Sequence, residues 1–449
     1  MKVLNKFLII GGISIFSTGC ISNYTNINYI APRVQKIVEK PTSQTITEII
    51  KNDATNAVSS GAKDNDTLAQ AARVINSIKG IELEGKSLED FIKNLEVNFK
   101  KVLSALNEKV AQKWGLDNTQ SASQDTFVKY TDSYLSRAKV DFTNGKISVE
   151  TLDSKNPKKS LKNAIVTTLL TPEDPESVDL YSDKAVSYTS KPYLANLVKD
   201  NENQPVLYQW RANKYATYLV ENKLQTKEIV ENGQKKQVHF VEFEMVSDHE
   251  IQSEHKYAEF VAKYSKQYNL DQALIFAIIK TESSFNPYAV SHIPAYGLMQ
   301  VVPASAGRDV YRALNNKDGI PTKEMLFTPQ INIQYGSAYL DILFNRYIKG
   351  VKNALSHEYC VIAAYNTGSG NVLSVFDKDR TKAVSVINTL TSAEVYRRLR
   401  VGLKYEEARN YLHKVTNAKK EFQAGSGGQK ADSGILQFKK EKLSLNASL

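Results

Sequence analysis

The sequence predicts an α+β protein, with a mostly helical body in its second half, a smaller mixed α/β body before it and amino-terminal helices in front. Two hairpin signals support the mixed body. One runs from Val140-Asp141-Phe142 through Thr143-Asn144-Gly145-Lys146 to Ile147-Ser148-Val149, and the other from Lys227 to Met245 around Asn232-Gly233. From Ser253 to about Phe422 the apolar spacing becomes helical. Within it, Ala273 to Ile279 is apolar nearly all the way round, which marks a helix buried in a core.

Taken in order, Met1 to Cys20 opens with Lys2 and Lys6, then a short apolar stretch from Leu8 to Phe16. That stretch is too short to span a bilayer as a stable helix and reads as a signal peptide. Ser17-Thr18-Gly19-Cys20 is similar to a lipobox, although Ser17 stands where Leu is usual. Cleavage would remove residues 1–19 and leave Cys20 lipidated. Residues 20–60 are rich in Asn, Thr and Ser and read as an anchor with a flexible tether. About 40 such residues reach roughly 35 Å. Residues 61–120 form a helical extension, with apolar residues recurring from Phe91 to Val110 at helical spacing. The mixed body takes residues 121–250, with helices near Leu161–Leu170 and Ala212–Lys223 laid over one face of its sheet. The helical body takes residues 251–422, with helix starts near Pro303, Thr328 and Ser392. The Gly/Ser/Lys-rich stretch 423–449 reads as disordered.

At 449 residues the chain can bury a sizeable core, and its net charge is +10. The basic residues are dispersed and not interleaved with aromatics, so nucleic acid is not an expected partner. With Cys20 modified, Cys360 is left alone on an apolar helix and reads as a buried, inert thiol. His249 and His255 lack a second ligand pair at zinc spacing, and no metal or other cofactor is expected.

One segment carries chemistry. Asp271 can cap a helix from about Gln272 to Ser283, with Glu282 in its last turn and Pro287 ending it. Desolvation raises a carboxyl pKa, and the negative end of a helix dipole acts the same way. A carboxyl kept protonated near neutral pH is suited to general acid catalysis of glycosidic cleavage. Gly297-Leu298-Met299-Gln300 follows, and the Gln300 amide can both donate and accept hydrogen bonds. Further on, Ala364-Tyr365-Asn366 ends an apolar helix before a turn at Thr367, Gly368 and Gly370, and Tyr411 lies on the apolar side of a late helix. Asp309 and Glu324 read as surface charges.

In order and spacing, the Glu-Ser-Ser-Phe-Asn-Pro, Gly-Leu-Met-Gln, Ala-Tyr-Asn and Tyr-Leu-x-Lys-Val blocks resemble the lytic transglycosylases of the goose-type lysozyme superfamily. The resemblance extends upstream through FVKYTDSYLSRAKVDFTNGKISVET and SVDLYSD, from near Asp125 to near Lys419. It implies a lysozyme-like catalytic domain that cleaves peptidoglycan between N-acetylmuramic acid and N-acetylglucosamine, leaving a 1,6-anhydromuramoyl end. It also implies Glu282 as the catalytic acid and base. Ser291 and Gln300 would contact the sugar, Tyr365 and Asn366 would line the site, and Tyr411 would set the hydrogen bonding of Glu282. Met299 would form the floor beneath the substrate. The expected partners are peptidoglycan glycan strands, and the membrane through a lipid on Cys20. Ile21 is not the Asp of an inner-membrane retention signal, so the expected place is the outer membrane, facing the periplasm. A hydrolytic lysozyme and a non-catalytic peptidoglycan-binding lipoprotein are the alternatives.

Overall fold

Alternating apolar residues make a sheet with two faces to cover, and the mixed body covers both. The computed structural model describes residues 104–426, except 174–177, 179–181, 185, 187, 189–190, 232 and 292–294. Cys20, the tether, the helical pattern before 104, most of the SVDLYSD stretch, Asn232 and the tail beyond 426 lie outside the described residues. Strands β1 (Thr126–Thr131), β2 (Ser136–Asp141), β3 (Lys146–Thr151), β4 (Gln225–Glu231) and β5 (Gln234–Glu244) form an antiparallel sheet ordered β1-β2-β3-β5-β4. Both predicted hairpins are present, closed by Asp141–Lys146 and Glu231–Gln234 pairs. β1 carries no hairpin signal of its own. It joins β2 through Asp132, Ser133 and Tyr134, which are all left-handed (φ 55, 53 and 65°) although none is Gly.

Phe127, Val140, Ile147, Val149 and Val241 face one way and pack on the helices α2 (Pro157–Leu169) and α3 (Gln209–Asn222). Val128, Tyr130, Ile229 and Val238 face the other way. They are covered by Leu106, Val110 and Trp114 of α1, described from 104 to 114. The end of the helical extension is therefore the second cover of the sheet. Trp114 Nε1 donates to the Tyr134 carbonyl at 2.8 Å, and the Arg137 guanidinium lies 3.8 Å from the Trp114 ring centroid. The buried Glu150 carboxylate pairs with Arg137 at 2.6 Å and Lys227 at 2.5 Å.

The helical body contains α4 (His249–Tyr268), α5 (Gln272–Ser283), α6 (Arg308–Asn315), α7 (Lys323–Phe327), α8 (Pro329–Ile342), α9 (Ala354–Thr367), α10 (Ser369–Ser374), α11 (Arg380–Ile387), α12 (Ser392–Gly402) and α13 (Glu406–Ser426). Among the described residues, no helix is long and apolar enough to cross a membrane. The expected starts reappear as a π-turn at Pro303–Gly307, a Thr328 cap on α8 and a Thr391 capping box on α12.

Three expectations need correction. Helix α13 runs three residues past Gln423 before the described residues end. Thr367 belongs to α9 and Gly370 to α10, so the turn contracts to Gly368, whose φ of 83° suits a residue without Cβ. Finally, α5 is not stopped by Pro287. Ser284 and Phe285 turn left-handed (φ 49 and 64°), and the Ser284 N–H closes on the Lys280 carbonyl at 3.0 Å.

The apolar circumference of α5 has to be enclosed, and α13 provides one wall. Phe422 meets Phe276 at 5.5 Å and Phe285 at 6.4 Å between ring centroids. Ion pairs hold the two helices together at both ends of α5. Lys419 Nζ lies 3.0 Å from Asp271 and 2.7 Å from Glu358, while Lys280 joins Glu421 at 3.0 Å and also Glu250. Between the helical body and the sheet, Tyr288 enters the sheet's own core, 5.5 Å from Phe127 and 5.4 Å from Tyr193, and its hydroxyl donates to the Pro172 carbonyl. Asn286 Nδ2 donates to the Gln124 carbonyl at 3.1 Å, and Val290 N–H to the Ser123 carbonyl at 3.4 Å.

Asp271 Oδ1 accepts the Ala273 N–H at 2.9 Å, which makes it both the cap of α5 and an ion-pair partner. Asp271→Ala should cost about 1–2 kcal/mol in urea unfolding. Asp271→Asn keeps the cap and should cost less than about 1 kcal/mol. Equal losses would instead make the Lys419 pair the dominant contribution.

Candidate active site

Glu282 is buried, with only 7% of its surface exposed. It occupies the last turn of α5, where the neighbouring side chains are apolar. Burial, the largest effect, pushes its carboxyl up from 4.5 to about 8; the Tyr411 hydroxyl beside it pulls down, and Glu407 pushes up again. The carbonyls at the C-terminal end of α5 add the negative pole of the helix in the same direction. Near neutral pH this side chain therefore carries a proton.

Two tyrosines face it. Tyr411 on α13 lies against the Glu282 carboxyl, but its buried hydroxyl reaches hydrogen-bond geometry with no group among the described residues. Tyr365 on α9 is within electrostatic reach of Glu282 and packs on Tyr339 at 5.6 Å. Its hydroxyl donates to the Met299 carbonyl at 2.8 Å, joining α9 to the Gly297–Gln300 strip. Ser283, next to Glu282, contributes a hydroxyl within 2.8 Å of the Leu298 carbonyl, so the strip is also fastened to α5.

The strip is shaped by a residue that the sequence reading did not single out. Asn332 on α8 is fully buried, accepts the Met299 N–H at 2.7 Å and donates to the carbonyls of Tyr296 (2.7 Å) and Leu326 (2.6 Å). Its signal was an amide set between Ile331 and Ile333. Gly297 makes the close approach possible: with φ 74°, a Cβ there would lie 2.3 Å from the Leu326 carbonyl oxygen. Gly336 makes room for Met299, whose sulfur would lie 2.3 Å from an added Cβ. The Met299 side chain is fully buried, so it shapes the strip from beneath.

Gln300 turns left-handed (φ 47°) and spends its Nε2 on the carbonyls of Ala289 and Gly297, both at 3.0 Å. Its Oε1 is buried with no partner among the described residues, so Gln300 offers an acceptor and not the two-way amide anticipated. Ser291 exchanges hydrogen bonds with Ala295: its N–H donates to the Ala295 carbonyl and its Oγ accepts the Ala295 N–H, each at 3.2 Å. Asn366 is half-buried in the last turn of α9, one residue beyond Tyr365. Glu282, Tyr411, Tyr365, Met299 and Gln300 thus form one connected group, with Ser291 on the loop leading into it.

Glu407 was also missed. It is exposed in the first turn of α13, one helical turn before Tyr411, and its signal was that i, i+4 spacing. Asp309 and Glu324, expected as surface charges, are half-buried. Asp309 accepts the Tyr347 hydroxyl at 2.8 Å, and Glu324 lies within electrostatic reach of Tyr296. Cys360 is fully buried, and burial pushes its thiol up to about 12.

Asn332→Ala would strand the Met299 N–H and two carbonyls in the core, at a cost on the order of 3–5 kcal/mol in urea unfolding. A loss below about 1 kcal/mol would show that the strip holds its shape without that amide. The raised pKa of Glu282 makes a second test. The folded state keeps a proton that the unfolded chain releases above about 4.5, so stability should fall as pH rises from about 4.5 to about 8 and level off beyond. Glu282→Gln should remove that contribution. Glu407→Gln should lower the Glu282 midpoint, read by carboxyl NMR, by a few tenths of a pH unit at low salt and less at high salt.

Comparison with known proteins places these features in a family. A model described as the N-terminal domain of membrane-bound lytic murein transglycosylase C matches residues 91–256, and a transglycosylase SLT domain model matches residues 259–388. Proteins named membrane-bound lytic murein transglycosylase C, from Yersinia pestis (strain Pestoides F) and Yersinia pseudotuberculosis (serotype O:1b, strain IP 31758), are each 41% identical over 335 residues. Those residues are 74% of this chain and 92% of each relative. Two solved structures overlap more briefly. An inactive mutant of the lytic transglycosylase Slt from Pseudomonas aeruginosa shares 25% identity over 36% of this chain and 23% of its own, with a TM-score of 0.28. The 70 kDa soluble lytic transglycosylase of Escherichia coli shares 22% identity over 38% of this chain and 24% of its own, with a TM-score of 0.30. With 41% identity running through nearly the whole length of those relatives, the chain belongs to the membrane-bound lytic murein transglycosylase C family.

Proposed function

We propose that the protein is a peptidoglycan lytic transglycosylase in which Glu282 alone acts first as acid and then as base. The observation that carries this reading is a buried, protonated carboxyl with no buried carboxylate beside it. Among the described residues, the other buried acids are Glu150 and Asp200, both in the sheet body and both paired with arginine. A glycosidase that activates water or forms a glycosyl-enzyme needs a second carboxylate at a defined distance. A nucleophile supplied by the substrate removes that need.

In the proposed sequence, Glu282 gives its proton to the oxygen linking N-acetylmuramic acid to N-acetylglucosamine, and the bond from that oxygen to C1 breaks. The C6 hydroxyl of the same muramoyl unit then attacks C1, and its proton passes to Glu282. The ring closes as a 1,6-anhydro end, the carboxyl is restored and no water is consumed. While Glu282 is ionised, the unpartnered Tyr411 hydroxyl is placed to donate to it. Gln300 Oε1 accepts from a sugar hydroxyl or amide, and Ser291 on its loop contacts the acetamido group. Tyr365 supports the strip, and Asn366 lines the groove beside it. Met299 supplies the floor.

Membrane attachment follows the family, and the anchor is assigned to a lipid on Cys20. The chain would then face the periplasm from the outer membrane, where the mildly basic surface favours the acidic sacculus.

Digestion of purified sacculi by the protein and by Glu282→Gln, followed by mass spectrometry, tests the chemistry. Anhydromuropeptides from the intact protein alone are the expected result. Reducing ends, heavier by one water, would establish hydrolysis and overturn the internal transfer.

A further inference from the structure

A second polar site lies on the sheet body, where that body is tied to the active-site segment. A cavity of about 200 Å³ is lined by Gln120, Ser121, Ser123, Thr126, Val128 and Lys139. Its wall is continuous with the junction: the Ser123 carbonyl accepts the Val290 N–H and the Gln124 carbonyl accepts Asn286 Nδ2. Residues 286–290 lie between Glu282 and Ser291, so the cavity adjoins the stretch that leads from one to the other.

The chemistry of its lining is specific. Lys139, opposite Val128 in the β1–β2 register, is half-buried, and its ammonium has no hydrogen bond or ion pair among the described residues. The Gln120 side-chain amide is likewise uncommitted. The hydroxyls of Ser123 and Thr126 have already given their protons to Asp125 Oδ1, at 2.7 and 3.1 Å, so they present lone pairs to the cavity. Hydrogen bonds from Ser123, Thr126 and Thr143 outweigh burial and hold the Asp125 carboxyl below its usual range, so a negative charge stands behind those hydroxyls. A small symmetric anion would meet lone pairs and like charge on one side. A ligand with an acid at one end and N–H groups at the other satisfies both sides.

We infer that this cavity binds the stem peptide of peptidoglycan, with a stem carboxylate on Lys139 and stem amide N–H groups on Ser123 and Thr126. The proposal rests on the lytic transglycosylase reading and adds a second handle on the same polymer. An extended peptide covers about 3.5 Å per residue, and the cavity adjoins the 286–290 stretch that follows Glu282, so a stem peptide is the part of the polymer suited to reach it. The handle acts on binding and leaves the reacting bond untouched, so it makes Lys139 a specificity residue and not a catalytic one.

Two measurements test it separately from the chemistry. In the first, the full-length protein carrying Glu282→Gln, in detergent, is titrated with an N-acetylmuramoyl dipeptide bearing free carboxylates. The same peptide fully amidated, a chitooligosaccharide and inorganic phosphate serve as comparison probes. The acidic peptide should bind roughly tenfold more tightly than its amide, and Lys139→Met should abolish that preference while Lys139→Arg restores it. Equal binding of acid and amide, an unchanged preference in Lys139→Met, or equally tight binding of phosphate would overturn the proposal. In the second, Lys139→Met with Glu282 intact should raise KM several-fold on stem-bearing glycan and leave kcat unchanged. On glycan stripped of stems it should match the unsubstituted protein, and an equal KM rise on both substrates would overturn the stem assignment. Failure of the unsubstituted protein to make anhydro ends would count against the catalytic reading, while the titration would still decide the cavity.

Discussion

Burying a carboxyl at the end of an apolar helix is tolerable only while the group stays neutral, and much of the helical body is arranged around that condition. The α5 circumference must be enclosed, so α13 is laid along it with Phe422 against Phe276 and Phe285. Lys280, paired with Glu421, and Lys419, paired with Asp271, tie the two helices together, and Tyr411 of α13 lies against Glu282. On the other side, Asn332 and the Ser283 hydroxyl hold the Gly297–Gln300 strip at the point where α5 leaves its helical path. The energy that keeps Glu282 protonated comes from this enclosure, since burial is the leading cause of its shift.

Electrostatics at the mouth of the group are a smaller influence, and solvent screening limits them. Glu407 is exposed, so its effect on Glu282 depends on ionic strength, whereas desolvation does not. Tyr411 works in the opposite sense, favouring the ionised form. Opposed influences of this kind suit the proposed role of Glu282 as acid and then base, because neither protonation state becomes a trap.

The parts legible in the sequence were those governed by local physics. The cap at Asp271, the length of α5, the two hairpins and the helices on the sheet all follow from periodicity, capping chemistry and turn residues. β1 was not separated because its turn, Asp132-Ser133-Tyr134, has no Gly or Asn to announce it. The end of α5 at Ser283 was legible but its cause was not: Pro287 is a visible breaker, whereas left-handed Ser284 and Phe285 carry no Gly or Asn to announce the turn. In the site, Glu282 was legible as an acid ending an apolar run. Asn332 and Glu407 left only weak local signals, because the groups that they act on, Met299 and Glu282, lie far away in sequence. The commitment of the Gln300 amide nitrogen to its own strip is likewise a property of the folded chain.

The seam between the sheet and the helical body has a thermodynamic consequence. Tyr288 is a core residue of the sheet supplied by the helical side, and the seam's hydrogen bonds run from one backbone to groups of the other. Neither part has a finished surface there: separated, one would leave a hole among Phe127, Tyr193 and Phe142, and the other an exposed aromatic side chain with its hydroxyl unmatched. Unfolding of the sheet should therefore be coupled to unfolding of the helical body, and a cut between them should leave each fragment less stable than it is in the whole chain.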